Sequence, residues 1–332
     1  MTLTTGAPAL PRSARVRRRS EPPAAVLRLA EPLSAAPTDP PVHHVRVALD
    51  TRLRALLEHD VGARAGSDVE HVHQMRVSVR RMRAALNTAR PLLDAEWADG
   101  LRVELGWLGR ALGPVRDLDV LLPQLRGLAA DLPSQERAAA DRLLARLDGE
   151  YRSAREQMLV ALSSPRYVAL LERLADAVRL PLPTPSAIER RPELVELVRG
   201  EYRSLRRAVR KAGEHPPDEV LHALRIKGKR LRYTAELVEP ALGQPVRRLL
   251  EATAALQEVL GNHQDACVAQ GRIRELVDDL ARSDDAADPL VAFVAGRMVE
   301  REQRRAQAQR DRWWAAWKQV QTRADELSSV SA

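Results

Sequence analysis

The stretch "HQMRVSVRRMRAAL", residues 73–86, decides the fold because it recurs 149 residues later as "HALRIKGKRLRYTA", residues 222–235. The two segments align without a gap, and both alternate basic residues with apolar residues. Self-similarity at a fixed offset is the signature of a repeated structural unit. The matched polar pairs are His73 with His222, Arg76 with Arg225, Arg80 with Lys229, Arg81 with Arg230, and Arg83 with Arg232.

A second pair of segments keeps almost the same offset. "LGPVRDLDV" begins at Leu112 and "LGNHQDACV" begins at Leu260, 148 residues later. Two ordered matches at a nearly constant offset predict a tandem duplication of one unit. We place the first unit at residues 39–180 and the second at residues 181–330.

The spacing of apolar residues predicts an all-α fold. From His43 onward, apolar residues recur every three or four positions, and the signals of strands and hairpins are almost missing. Aromatic residues make up only 3% of the chain, so Leu, Ala and Val must fill a core of closely packed helices. The predicted helices lie near 42–58, 68–90, 93–112, 115–129, 134–178 with a break at Pro165, 188–212, 217–239, 244–260, 263–282 and 288–327.

Proline-rich segments mark the ends of the two units. Residues 1–38 carry six Arg against two Glu with no apolar period, which predicts a disordered basic arm. Residues 179–192 contain four Pro and are the candidate linker. Asp288 followed by Pro289 is typical of the start of a helix. We interpret the tryptophans of that last helix as core residues; they are Trp313, Trp314 and Trp317.

Helical geometry gathers the basic residues of each copy into one stripe. At about 100° per residue, the stripe of the first copy spans an arc of about 80°, whereas Arg81 points elsewhere. In a duplicated pair of helical bundles related by a pseudo-twofold axis, the two stripes would face each other across a central basic groove. The stripes consist of His73, Arg76, Arg80 and Arg83, and of His222, Arg225, Lys229 and Arg232. Arg203, Arg206 and Arg210 form a candidate extension of this groove.

Charge is concentrated in these stripes beyond what the net charge of +8 suggests. Five cations occupy residues 225–232 with no acid among them. Like charges about 6 Å apart repel by roughly 0.7 kcal/mol even in water. A solvated face paired with acids of neighbouring helices is the usual explanation of one such run. A bound polyanion would explain both runs, because Arg binds phosphate oxygens bidentately and Lys acts as a point charge.

Other functional classes find less support in the sequence. The single Cys267 rules out an intramolecular disulfide, and no secretory leader or long apolar run occurs. No phosphate-binding glycine loop or nucleophile motif is present, and we expect no catalytic residue, cofactor or resident metal. For the carboxylates that follow the glycine of the second motif, we expect a role at a helix start or as partners of Arg and His. They are Asp117, Asp119 and Asp265.

In four segments the chain resembles the CHAD family, the conserved histidine α-helical domain. The segments are "HQMRVSVRRMR", "LGPVRDLDVL", "LHALRIKGKRLRY" and "LQEVLGNHQDA", and the resemblance covers about residues 40–328. It implies a duplicated pair of helical bundles that binds inorganic polyphosphate in a basic channel. It also implies the channel residues His73, Arg76, Arg80, Arg81, Arg83, His222, Arg225, Lys227, Lys229, Arg230, Arg232 and Tyr233. The copies differ where Ser78 aligns with Lys227 and where "GPVRD" aligns with "GNHQD".

We therefore expect a polyphosphate-binding protein and not an enzyme. Some members of the family carry a triphosphatase domain with an ExExK motif, whereas the nearest match here, residues 300–304, ends in Arg. A nucleic-acid-binding protein is the main alternative, since the sequence pI is about 10.3. Polyphosphate hydrolysis is a further one. The resemblance also implies residence in the cytoplasm on polyphosphate granules, without membrane insertion, and leaves chain-length preference, oligomeric state and the role of the arm open.

Overall fold

The structure, a computed structural model, describes residues 27–180, 182, 184, 193–282 and 288–329. Most of the predicted basic arm and most of the predicted linker lie outside these residues. Within them the chain forms nine α-helices, one 3₁₀ turn and no strand, which confirms the all-α prediction. The helices are α1 Pro41–Ala65, α2 Val69–Thr88, α3 Ala95–Ala130, α4 Ser134–Leu162, α5 Pro165–Arg179, α6 Leu194–Ala212, α7 Asp218–Leu242, α8 Gln244–Arg282 and α9 Pro289–Ser329; the turn is Arg90–Leu92.

One large hydrophobic core joins both halves of the chain. It runs from Val45 on α1 through Met75 and Met82 on α2 to Leu231 on α7 and Val320 on α9. The helices α1, α2 and α7 contact one another, and α2 also packs on α3. Helix α2, which carries the first basic stripe, therefore packs against helices of both halves. Trp313 and Trp317 are buried in this core, in agreement with the sequence-based interpretation.

A second, smaller core lies where the long helices extend beyond the first. The C-terminal part of α3, the N-terminal part of α4, the C-terminal part of α8 and the N-terminal part of α9 bury their Leu, Ala, Ile and Val side chains together. Ion pairs connect the hairpin of the first half with that of the second: Arg272 with Glu150, Arg297 with Glu136, and Arg142 with Asp288. Each half thus contributes one helical hairpin to a four-helix bundle.

Two predicted helix breaks are wrong, because α3 continues through Gly113 and Pro114 and α8 continues through Gly261. A proline inside a helix costs about 3 kcal/mol, since it cannot donate a hydrogen bond to the carbonyl four residues before it. Pro114 is exposed, and its neighbours Leu112 and Val115 are fully buried. The packing of the long helix on both sides of the proline outweighs this cost.

Other helix ends follow the sequence. Helix α4 ends at Leu162, and α5 begins at Pro165, where the Ser164 hydroxyl accepts a hydrogen bond from the backbone N–H of Tyr167. At α9 the Asp288 carboxylate accepts from the N–H of Leu290 at 2.9 Å. These contacts satisfy N–H groups that lack a partner in the first turn of a helix. Both predicted starts, at Pro165 and at Asp288–Pro289, are confirmed.

Candidate functional site: a cationic groove between α2 and α7

The two helices that carry the twin motifs pack against each other. Near the C-terminal end of α2 the hydroxyls of Thr88 and Thr234 share a hydrogen bond of 2.8 Å. One to two turns earlier, Arg81 of α2 pairs with Glu236 of α7 at 2.9 Å. The side chains of one motif therefore lie beside those of the other.

Four cations converge where the two helices approach: Arg76 and Arg80 from α2, and Arg225 and Lys229 from α7. We call these four residues the cationic groove. Burial lowers the pKa of Lys229 to about 7, with further lowering by Arg225, Arg80 and Arg76 that Asp265 only partly offsets. Burial also lowers the pKa of Arg225, and the positive charge of Arg80 lowers it further. Positive groups of both halves thus act on one another inside a partly desolvated space.

Two guanidinium groups of the cationic groove have an unsatisfied N–H. The Nε atoms of Arg80 and Arg225 are buried and have no hydrogen-bond partner among the described residues. Arg76, by contrast, donates to the carboxylate of Asp117 at 3.2 Å and to the carbonyl of Gly109 at 3.4 Å. Because unsatisfied buried donors cost about 1–3 kcal/mol, this arrangement is one that an anion would stabilise.

Beside α2, glycines of α3 form the floor of an open space that Arg76 and Arg80 of the cationic groove also line. A side chain at Gly113 would come within 2.6 Å of the Arg76 guanidinium, and one at Gly106 within 3.5 Å of that of Arg83. The open space above this floor measures about 410 Å³. Neither this glycine floor nor Arg110 beside it was predicted from the sequence. The three- and four-residue spacing of Gly106, Gly109 and Gly113 nevertheless indicates a single helix face.

The two histidines of the motifs have different surroundings. Burial, followed by the positive charges of Arg116, Arg80 and Arg76, lowers the pKa of His73, which Glu70 only partly offsets. A neutral His73 at the edge of the groove retains one N–H that can donate to an anion. His222 forms a hydrogen bond of 2.6 Å between Nδ1 and the side-chain oxygen of Gln264.

Three of the predicted site residues gather around Glu236. Arg81 and Arg232 both pair with this carboxylate, at 2.9 and 3.2 Å, and its side chain is 21% exposed. Tyr233 lines a pocket of about 210 Å³ between α1, α2 and α7 together with Arg81 and Glu236. Arg52 of α1 lines the same pocket, where burial and then Arg81 lower its pKa. Glu236 therefore neutralises charge that the sequence analysis had assigned to the channel.

Two further predicted residues point from α7 toward α6. Lys227 donates to the Ser204 hydroxyl at 3.1 Å, and Arg230 donates to the Glu201 carboxylate at 2.8 Å. Both lie on a face of α7 more than about 90° from Arg225. The candidate extension on α6 is exposed, on the side of that helix away from Glu201 and Ser204. It consists of Arg203, Arg206 and Arg210.

The three acidic residues of the second motif are not at helix starts, because α3 and α8 run through them. That part of the prediction is wrong, whereas the expected pairing of Asp117 with an arginine is present in the contact with Arg76. Asp265 similarly favours the charged form of Arg225. Asp119 is buried, and burial raises the pKa of its carboxyl against the opposing effects of Tyr151 and Arg116.

A small group of potential metal ligands lies at the start of α7. Asp218, His263 and Cys267 place one ligand atom each within 4.8 Å of the others, and it is the one such group in the part of the chain that the structure describes. The Asp218 carboxylate already contacts His263 Nε2 at 3.0 Å and the Arg310 guanidinium. Burial raises the pKa of Cys267, which disfavours the thiolate that metals bind. We assign no metal to this group.

No described helix combines the length and the apolarity that a crossing of the lipid bilayer requires.

Comparison with known proteins identifies relatives. Uncharacterized proteins from the CDC 1551 / Oshkosh and H37Rv strains of Mycobacterium tuberculosis are each 29% identical over 290 residues, which is 85% of this chain and 54% of theirs. The chain therefore spans about half the length of the curated relatives it matches.

Solved structures and a family profile complete the comparison. PptA from Streptomyces chartreusis has a TM-score of 0.66 at 23% identity, covering 84% of this chain and 100% of that one, a likeness that shows the fold alone. The CHAD domain from the plant Ricinus communis has a TM-score of 0.64 at 27% identity, covering 87% and 95%. The CHAD domain profile matches residues 47–274, more than half of the chain and both motif-bearing helices, and the protein therefore belongs to the CHAD family.

Proposed function

We propose that this protein binds inorganic polyphosphate, without covalent chemistry, in the cationic groove. The observation that carries the proposal is the pair of buried, unsatisfied Nε–H groups of Arg80 and Arg225 beside the half-buried Lys229. Polar groups in such positions are normally satisfied, so the groove suits an occupant that offers acceptors and negative charge.

The chemistry of phosphate fits these groups better than that of a carboxylate. Each phosphate presents several oxygens around one centre, and guanidinium forks from α2 and α7 can bind it from two sides. Consecutive phosphates would then pass Arg76 and Lys229 in turn. The negative charge would relieve the repulsion among four cations that the fold holds together.

Family membership supports the same ligand, because CHAD proteins are associated with polyphosphate. We extend the proposal to residence in the cytoplasm on polyphosphate granules. Colocalisation of the tagged full-length protein with stained granules would support this part, and a diffuse signal in cells rich in granules would contradict it.

We also infer that the two halves arose by duplication. In both, the first Arg of the basic motif faces the Asp of the second motif: Arg76 with Asp117, and Arg225 with Asp265. Superposition of α1–α4 on α6–α9 by one rotation of about 180°, pairing α2 with α7, would support a pseudo-twofold axis. A superposition that fails to pair these two helices would contradict it.

The decisive experiment removes the cationic groove as a unit. Arg76, Arg80, Arg225 and Lys229 are replaced together by Ala, and binding to long-chain polyphosphate is measured by titration calorimetry at physiological ionic strength. We expect a loss of affinity of at least about 10³-fold with helicity retained in circular dichroism, because counterion release drives such binding.

A matched control removes four cations elsewhere. Replacing Lys227, Arg230, Arg203 and Arg206 by Ala removes the same number of basic side chains but leaves the groove intact. We expect this variant to retain binding within about tenfold. Equal losses in the two variants would show that overall charge, not the groove, binds the polyanion.

Nucleic acid is the alternative occupant of the groove, and a competition experiment must distinguish it from polyphosphate. Tyr233, the one Phe, Tyr or Trp residue of the two basic motifs, lines the pocket around Glu236 and lies within electrostatic reach of Arg225, so the motifs offer bases a single ring and not the series of rings that single-strand binders use. Polyphosphate should therefore displace duplex and single-stranded DNA at physiological salt. The reverse order of affinity would overturn the proposal, and release of phosphate in the presence of Mg²⁺ would indicate hydrolysis instead of binding alone.

A further inference from the structure

The space above α3 does not end at the cationic groove. The space of about 410 Å³ that Arg76 and Arg80 of the cationic groove line adjoins a second space of about 320 Å³, since Arg83, Gly106 and Arg110 line both. The second space continues to Arg102 and Val103. From Gly113 to Arg102 this path follows α3 for about 16 Å at the helical rise per residue.

Positive charge accompanies this path. Burial lowers the pKa of Arg83, and the positive charges of Arg102 and Arg110 lower it further. This effect indicates that the three guanidinium groups lie close together. Among the described residues, no carboxylate lies within 4 Å of Arg83 or Arg110. Arg102 pairs with Asp99 at 2.6 Å, but Asp99 is shared with Arg90. Cations outnumber acids along the whole length of the second space.

The corresponding path in the second half is filled and carries an acid. At the offset of 148 residues, Gly109 is replaced by Gln257 and Arg110 by Glu258. The Gln257 amide lies over Gly228 and donates to the Arg225 carbonyl at 3.1 Å. Glu258 is exposed on α8. A chain of phosphates would meet an occupied surface and a negative charge on this side.

We propose that a polyphosphate chain too long for the cationic groove continues in one direction only, along α3 over Arg83, Arg110 and Arg102. This inference deepens the proposed function and depends on it. It makes these three arginines determinants of chain-length preference, because a short ligand held among Arg76, Arg80, Arg225 and Lys229 does not extend along α3 over all of them. The path along α8 takes no part in binding.

The test compares a short ligand with a long one. Arg83, Arg102 and Arg110 are replaced together by Gln, and a matched control replaces Arg247, Arg248 and Arg274 of α8 by Gln. Binding of tripolyphosphate and of long-chain polyphosphate is measured for the parent and both variants. We expect the α3 variant to lose about tenfold or more in affinity for the long chain and little for tripolyphosphate, because only the long chain reaches these arginines.

The outcomes separate this inference from the proposed function. A parent that binds neither ligand overturns the proposed function and the inference with it. If the parent binds both ligands and the α3 variant binds the long chain as tightly as the parent does, only the inference fails. Equal losses in the α3 and α8 variants also overturn it, since they would show that direction does not matter.

A charge exchange sharpens the comparison at one pair of aligned positions. Arg110→Glu gives α3 the acid found on α8, and Glu258→Arg gives α8 the cation found on α3. We expect weaker long-chain binding for Arg110→Glu and almost no gain for Glu258→Arg, because Gln257 still fills that side. A gain from Glu258→Arg as large as the loss from Arg110→Glu would contradict a one-sided path.

Discussion

Lys229 on α7 lies within electrostatic reach of Arg80 on α2, so that two like charges from opposite halves of the chain share one partly buried space. Arg225 adds a third charge, and Asp265 offsets them only in part. The fold keeps the groups together because their helices are fixed by the common core. An anion that enters this space is therefore attracted by the ammonium and guanidinium groups together.

Polyphosphate binding should be coupled to proton uptake at Lys229. With its pKa lowered to about 7, the amine is largely neutral in the free protein at pH 8, and a bound polyanion favours the protonated form. Affinity should therefore fall as the pH rises from 7 to 9. Calorimetry in buffers of different ionisation enthalpy gives the number of protons taken up, which should decrease in Lys229→Arg. The same proton count in both proteins would contradict this assignment.

The same residue should reduce the stability of the free protein as the pH falls from about 10.5 to 7. The pKa of Lys229 is about 7 in the folded state against an ordinary value of 10.5, so the unfolded chain binds more protons between these pH values. Stability from this residue is thus present above pH 10.5 and is lost as the pH falls toward 7. We expect Lys229→Met to raise the free energy of unfolding at pH 7 by about 1 kcal/mol. Denaturant titrations at pH 7 and 9 measure this gain, and a gain that does not shrink at pH 9 would argue against it.

Gly113 should be required for binding more than for folding. A methyl group there would lie 2.6 Å from the Arg76 guanidinium, a flexible group that can move, while Ala favours a helix by about 1 kcal/mol over Gly. Gly113→Ala should weaken polyphosphate binding severalfold without lowering the melting temperature. Gly261→Ala is the matched control, because nothing lies within 4 Å of its added methyl group. Equal binding by both variants would show that the position of Arg76 is unimportant.

Glu236 should stabilise the fold through charge neutralisation. It pairs with Arg81 from α2 and Arg232 from α7, and its negative charge also favours the charged form of Arg52. Glu236→Gln leaves these cations without a compensating charge, and we expect a loss of about 1–2 kcal/mol in the free energy of unfolding, moderated by the partial exposure of the pair. Urea titration measures the loss. An unchanged midpoint would show that solvent already screens these charges.

The sequence predicted the helices well where the signal is local. Ser164 and Asp288 cap helices at the expected places, because a cap and its N–H partner lie within three residues. The prediction of helix breaks at Gly113–Pro114 and at Gly261 was wrong, because α3 and α8 continue through these residues. The packing that keeps α3 and α8 continuous comes from residues distant in the chain, which local propensity does not register.

Helical periodicity predicts the direction of each basic side chain but not its partner. It separates Arg76 and Arg80 from Arg81 on α2, because the direction of a side chain follows from 3.6 residues per turn. Periodicity could not reveal which cations meet an acid from elsewhere. Glu236 holds Arg81 and Arg232, and Glu201 holds Arg230, and only the packing of α6, α2 and α7 brings these partners together.

The sequence by itself determined the helical class, the family and the two copies of the basic motif, since each is encoded in the order and spacing of neighbouring residues. The tertiary structure alone decided which charges stay unpaired. Charge–charge and hydrogen-bond energies depend on distances of a few ångströms between residues more than a hundred positions apart. Those distances place Arg80, Arg225 and Lys229 together in the cationic groove and leave Arg83 and Arg110 beside an open space along α3.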